Sequence, residues 1–200
     1  NIDSFKKLIM LIGSRLPEAF DNLDMFLSCL STIDLPMKTI VLVPLSSNFD
    51  LNVIEDYFSR YKFNKEFNKK YYIGEDSIWM KNNIIFLIGK NTFDSWANLA
   101  QVGLANAGTA TEQLAGLGVP SLSLPGKGPQ FTKSFANRQQ RLLGGSVRVC
   151  YDKKNLKKKL INLLLDANIR DKQGRIGLER MGPKGASKKI VKYLNKNFLS

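Results

Sequence analysis

Apolar residues fall in two alternating patterns along the chain. Short runs, LIMLI at 8–12, TIVLV at 39–43 and IIFLI at 84–88, contain almost no polar position. Runs of this length predict strands buried on both faces. Pro44 is expected to end the second run and Gly89 the third. Two briefer strands are predicted at Gly103–Asn106 and Pro120–Leu124. Between the runs the spacing becomes helical. GSRLPE (13–18) opens a helix that continues through Leu23, Phe26, Leu27 and Leu30, with Pro17 and Glu18 suited to its first turn. Leu51, Ile54, Tyr57 and Phe58 share one face of a second helix reaching Tyr61, with Ser47, Asn48 or Asp50 available as its cap. Phe93, Trp96, Ala97 and Ala100 predict a third over 93–101, and 107–118 reads as loop and helix. Strands alternating with helices imply an α/β fold, a parallel sheet with helices on both faces.

Two regions break this rhythm. Residues 60–82 mix Lys, Asn and aromatics without a clean period, predicting an excursion with one or two short strands. Aromatics interleaved with Lys could stack bases; the plainer reading is rings covering a sheet edge. The last fifty residues read as helices. Leu156, Leu160, Leu163 and Leu164 share one face, with Asp152 as cap. Gly174 and Gly177 weaken the next segment, and GPKG (182–185) breaks the chain. Ala186, Ile190, Val191 and Leu194 form a short amphipathic helix.

Composition narrows the chemistry. The 200 residues contain no histidine, which excludes Ser-His-Asp and Cys-His sites and His-ligated metal within this chain. Two distant cysteines, Cys29 and Cys150, support neither zinc nor a disulfide and fit a reducing, cytoplasmic setting. The net charge of +13 is uneven: 151–200 hold fourteen basic against four acidic side chains, and 1–150 hold sixteen against thirteen. A basic C-terminal quarter would attract phosphates, nucleic acid or an anionic membrane leaflet, or is simply a solvated lysine-rich face.

Candidate chemistry gathers at strand-to-helix junctions. Gly13, Ser14 and Arg15 follow the first strand. Glycine permits close backbone approach, the serine offers a hydroxyl, and arginine adds a bidentate donor beside free helix N–H groups. At Asn106-Ala107-Gly108-Thr109-Ala110-Thr111-Glu112, small residues and two hydroxyls run into a helix start. A diphosphate could rest on those N–H groups, with Thr109 and Thr111 donating to it. Glu112 is either a helix cap or an acceptor for a ribose diol. In open α/β sheets ligands bind beyond the carboxyl ends of the strands, so one ligand could touch both junctions. The loop PGKGPQF (125–131) and the following FANRQQ (135–140) place Lys127, Gln130, Asn137 and Gln140 within reach of a sugar or phosphate, or form a plain connection. No GxxxxGK[ST] occurs and no GxGxxG follows a strand, which disfavours a P-loop nucleotidase or an ordinary dinucleotide dehydrogenase.

In order, GSR-x-x-E, AGTATEQLAGLGVPSLSLPGKGPQ and FANRQQRLLG resemble lipid-A-disaccharide synthase, most nearly the synthase-related proteins of cyanobacteria. The resemblance spans roughly 8–195. It implies one half of a GT-B glycosyltransferase: a Rossmann-like, donor-binding C-terminal domain over 1–200 with a basic helical region at 151–200 and the N-terminal acceptor half absent. By motif it implies a UDP-sugar site in which Gly13, Ser14 and Arg15 meet phosphate, and Gly108, Thr109, Ala110 and Thr111 form the diphosphate loop. Glu112 would bind the ribose, and Gln130, Asn137 and Gln140 would line the sugar side. The loop pattern departs from that of the well-studied synthases.

Implied too are an inverting, metal-independent hexosyl transfer to a lipid acceptor and no cofactor beyond the substrate. A general base from the missing half and a cytoplasmic location peripheral to the inner membrane complete the expectation. Helix N-termini, hydroxyls and Arg15 would take the place of a metal at the departing diphosphate, and no Asp-x-Asp pair is present to hold one. The chain alone is expected to bind nucleotide without turnover. Its expected partners are a nucleotide-sugar, its own N-terminal domain and an anionic membrane surface. Two alternatives stay open: a nucleotide-sugar 2-epimerase of similar fold, and a basic nucleic-acid-binding module over 153–196.

Overall fold

The computed structural model describes residues 2–126, 128–183 and 185–198. Eight strands form one sheet: β1 (Lys6–Leu11), β2 (Thr39–Leu45), β3 (Asn64–Glu66), β4 (Ser77–Lys81), β5 (Ile84–Lys90), β6 (Val102–Ala105), β7 (Ser121–Ser123) and β8 (Val147–Val149). Their order is β3-β4-β5-β2-β1-β6-β7-β8. From β5 through β8 neighbours are parallel, whereas β3 and β4 pair antiparallel. This is the expected α/β, Rossmann-like sheet.

Period-two alternation along the strands decides which helix covers which face. Leu8, Met10 and Ile12 face a core shared with Leu23, Phe26 and Leu27 of α1 (Glu18–Leu30), Ile54 and Phe58 of α2 (Leu51–Arg60), and Leu156 and Leu160 of α6 (Lys153–Leu165). Ile9 and Leu11 face the opposite core, with Trp96 of α3 (Phe93–Ala97) and Leu114 of α4 (Thr109–Gly116). Residues Leu8 to Leu11 are all buried, so β1 reads as an unbroken apolar run. The chain runs outward from β1 to β2 and β5, then returns to pair β6 on the other side. That reversal makes a topological switch point at the carboxyl ends of β1 and β6, where an open α/β sheet forms a crevice.

Several boundaries differ from expectation for local reasons. Pro44 lies inside β2, opposite Gly89. The Leu45 carbonyl accepts from Asn91 N on the β5 side, so Pro44, one residue away, faces the β1 side. The β1 pairing ends at Leu42, and the missing N–H costs no ladder bond. Helix α3 stops at Ala97 and not at 101, because Gln101 N already donates to Lys7 O in the sheet. Residues 60–82 form the antiparallel edge, with Trp79 of β4 and Phe63 packed on Phe58. Asp50 and Asp152 cap α2 and α6 by accepting from Asn52 N (2.9 Å) and Asn155 N (2.7 Å). Gly174 and Gly177 do not weaken α7 (Ala167–Met181), which is continuous. A Cβ on Gly174 would stand 2.2 Å from Gly118 O, and one on Gly177 2.5 Å from Ala115 O, so these glycines let α7 touch the backbone around α4. The short strand β8 was not expected. Helices α5 (Lys133–Leu143) and α8 (Ala186–Phe198) complete the chain.

Candidate functional site

A cleft of about 480 Å³ opens at the switch point. This lies within the roughly 300–1,000 Å³ range of small-molecule sites. Its walls come from the loops after β1, β2, β5 and β6 and from the segment before α5. The two glycine-containing junctions meet here: Gly13, Ser14 and Arg15 on one side, and Gly108, Thr109 and Ala110 on the other. Gly13 has φ +89°, and a Cβ there would sit 3.3 Å from Asn106 O. Glycine therefore serves both the left-handed turn and the close approach of the two loops.

The α4 terminus presents unpaired hydrogen-bond donors to the cleft. Among the described residues, the N–H groups of Thr109 and Ala110 meet no acceptor, while those of Thr111 and Glu112 bond Gly108 O. A Cβ on Gly108 would meet nothing within 4 Å, so the backbone there is open to a ligand. Gly108 is the N-cap and brings no side-chain acceptor to the helix end. The free donors and the helix dipole point at the same space. Arg15 adds the cation. Its guanidinium donates to Gln130 Oε1 across the mouth of the cleft.

A buried polar frame supports these loops. Asn106 Nδ2 donates to Leu124 O (2.7 Å) and to Asn22 Oδ1 (2.9 Å), while its Oδ1 accepts from Leu124 N (3.1 Å). Asn22 Nδ2 donates to Ile12 O at 3.0 Å. Together they tie the ends of β1, β6 and β7 to α1. The buried Glu18 carboxylate accepts from Phe131 N (2.6 Å) and Gln130 N (3.2 Å), holding the loop that carries Gln130. Gln139 Nε2 donates to Ala107 O (3.1 Å) and Gly108 O (3.2 Å). Sequence reasoning places Glu18 in a first helical turn and gives Asn22 and Gln139 no role. No local pattern announces them, because their partners lie 10 to 113 residues away.

Of the residues singled out by sequence, seven line this cleft: Gly13, Ser14, Arg15, Gly108, Thr109, Ala110 and Gln130. The other four do not. Thr111 is fully buried, and its hydroxyl is spent on Ala107 O at 2.7 Å. Glu112 stands beyond it on α4, outside the lining. The expectation that Asn137 and Gln140 line the same space is corrected by the geometry of α5. With Gln139 turned inward to Ala107, residues one and two positions away are rotated by about 100° and 200°. Asn137 accepts from Tyr151 Oη (2.6 Å), Gln140 accepts from Val149 N (2.6 Å), and both border a separate shallow depression with Lys133, Ser134 and Arg141. Lys127 lies outside the described residues. Ser46 and Asn91, unremarked in the sequence, and Phe93, read there only as a helix position, line the cleft beyond β2 and β5.

Compared with described protein families and with curated proteins, the sequence matches none. Solved structures do match in fold. A Listeria monocytogenes protein assigned as a UDP-N-acetylglucosamine 2-epimerase aligns with a TM-score of 0.69 at 16% identity over 100% of this chain and 47% of its own. The UDP-GlcNAc 2-epimerase of Neisseria meningitidis, bound to UDP-GlcNAc, aligns at 0.61 and 20% identity over 98% and 45%. WaaG, a glycosyltransferase involved in lipopolysaccharide biosynthesis, aligns at 0.61 and 14% identity over 99% and 48%. The chain thus spans about half the length of each. Its fold is the Rossmann-like half-domain of GT-B proteins, a class that holds both glycosyltransferases and UDP-GlcNAc 2-epimerases.

Proposed function

We propose that the chain is the nucleotide-sugar-binding, C-terminal half of a GT-B glycosyltransferase resembling lipid-A-disaccharide synthase. It takes a UDP-sugar and passes the sugar, with inversion and without a metal, to a lipid acceptor held by an N-terminal half. The observation that carries this reading is the convergence of Gly13–Arg15 and Gly108–Ala110 on one cleft at the carboxyl ends of β1 and β6. Breaking a bond between an anomeric carbon and diphosphate leaves negative charge on the diphosphate. The Thr109 and Ala110 N–H groups and Arg15 stand where that charge would be stabilised. Gln130, which accepts from Arg15, would line the sugar side. The acceptor's general base is assigned to the other half, and the reaction to the cytoplasmic face of a membrane.

A nucleotide-sugar 2-epimerase is the second reading. It is favoured by the two epimerase structures, and both reactions need the same diphosphate cradle. Calorimetric titration of this chain with UDP, beside ADP, tests the common premise. Saturable UDP binding is expected, weakened about ten- to a hundredfold by Arg15→Ala through loss of a charge-assisted contact. Glu112→Ala tests the ribose contact in the same titration. Absence of UDP binding by the folded chain would count against both readings. Product analysis with the N-terminal half present then separates transfer to an acceptor from epimerisation of the free nucleotide-sugar.

A further inference from the structure

Helix α8 differs from every other long helix of the described chain. It has no buried residue, whereas α1, α2, α5, α6 and α7 each bury at least two. Yet it is strongly two-sided. At 100° per residue, Ile190, Leu194, Phe198 and Val191 fall within an arc of about 100°. All four are exposed, at 59, 44, 70 and 55% respectively. Lys188, Lys192, Lys196 and Lys189 fill a similar arc on the opposite side. No acidic residue occurs anywhere in 182–200. Lys188 and Lys192, four apart, repel each other along the helix and weaken it in isolation. Gly182 and Gly185, both in the left-handed region with nothing within 4 Å of a Cβ, join the helix to α7.

We propose that α8 is an interfacial helix that docks this chain on an anionic lipid surface. Such a surface offers an apolar phase to Ile190, Val191, Leu194 and Phe198, and negative headgroups to Lys188, Lys189 and Lys192. Low overall hydrophobicity with lysines facing an aliphatic and aromatic stripe is the composition of helices that lie in the headgroup plane. Thirteen residues span about 20 Å, short of the roughly 30 Å hydrocarbon core, so the helix lies along the surface and does not cross it. A nucleic acid would satisfy the lysines and leave the apolar stripe in water. Docking through α8 deepens the proposed placement at a membrane face but rests on this helix alone, so vesicle binding can fail while UDP binding holds.

Co-sedimentation of the full chain with vesicles tests it, using neutral phosphatidylcholine against phosphatidylcholine mixed with phosphatidylglycerol. Binding is expected to the mixed vesicles only. Lys188→Gln, Lys189→Gln and Lys192→Gln together should weaken it about a hundredfold, at about fivefold per lysine. Ile190→Ser with Leu194→Ser should weaken it at least about tenfold, with the thermal melt unchanged because these positions are exposed. Equal binding to both vesicle types, or none, overturns the proposal; none would mean that another protein segment covers the apolar stripe. Binding that survives Ile190→Ser and Leu194→Ser also overturns it, since the other basic helices would then be adsorbing by charge alone.

Discussion

Asn106→Ala removes the side chain on which the floor of the cleft is built. Asn106, Asn22 and Leu124 are each at most 4% exposed. The substitution deletes three hydrogen bonds and strands the N–H and C=O of Leu124 and the Oδ1 of Asn22. Each buried group left unpaired costs about 1–3 kcal/mol. Water from the cleft can reach part of the vacated space, since Asn22 and Asn106 both line it. The net loss should therefore be about 3 kcal/mol, or about 6–12 °C in Tm for a domain of this size. Circular dichroism melts of the wild type and of Asn106→Ala, Asn22→Ala and the double variant measure it. The double variant should be less destabilised than the sum of the singles by about 1 kcal/mol, because the shared Asn22–Asn106 bond is lost only once. A Tm change under about 2 °C for Asn106→Ala would refute the idea that this network holds the strand ends. Strict additivity would remove the direct Asn22–Asn106 bond from the argument.

Further outcomes follow from packing and titration. Gly174→Ala should cost more than about 2 kcal/mol in urea unfolding, because its Cβ would press on the Gly118 carbonyl and cannot be relieved by a rotamer change. Gly182→Ala has open space around it but sits at φ +71° and ψ 178°, a backbone region essentially confined to glycine, and should cost about 1–3 kcal/mol through backbone strain alone. Burial pushes the thiols of Cys29 and Cys150 up to about 11 against the partly opposing lysines. Both should resist a thiol reagent at pH 8 in the native chain and react fully in denaturant. Their raised values mean that the stability tied to the neutral thiols is whole below about pH 9 and falls as pH rises toward 11, which alkaline melts of Cys→Ala variants, flatter than wild type, would show. At Glu75, burial acts to raise the pKa but is outweighed by the backbone N–H groups of Tyr71, Ile73 and Tyr72, leaving it lowered. Its stabilisation is present above the ordinary glutamate value and lost as pH falls. The Tm gap between wild type and Glu75→Gln should accordingly close on acidification.

Much of the architecture is legible in local pattern. LIMLI, TIVLV and IIFLI are strands because their whole length is buried on both faces, and such runs need no partner to be recognised. Caps at Asp50 and Asp152 are equally local, since each bonds an N–H two or three residues on. Errors cluster where a distant segment overrules local preference. Gly174 and Gly177 look like helix breakers until α7 is seen against Gly118 and Ala115. Strand β8, three residues long, has too little pattern to stand out and exists through its register with β7.

The candidate site divides in the same way. Glycine-containing turns at 13–15 and 108–110 are visible because a turn between a buried strand and a helix has a composition of its own. That they share one cleft follows from placing β1 beside β6, which the order of elements suggests and only strand pairing decides. The inward turn of Gln139, which carries Asn137 and Gln140 away from the cleft, depends on how α5 seats against the end of β6. Likewise the buried Glu18, Asn22 and Asn106 are held by backbone groups far along the chain, and their types alone do not reveal it. The sequence by itself determined the alternation of strands and helices, the glycine-containing turns and the basic, amphipathic end, because backbone preference and hydrophobic period act over a few residues. Only the tertiary structure decided which polar side chains face the cleft and which are consumed in holding it open, because hydrogen-bond partners and burial are set by contacts between distant parts of the chain.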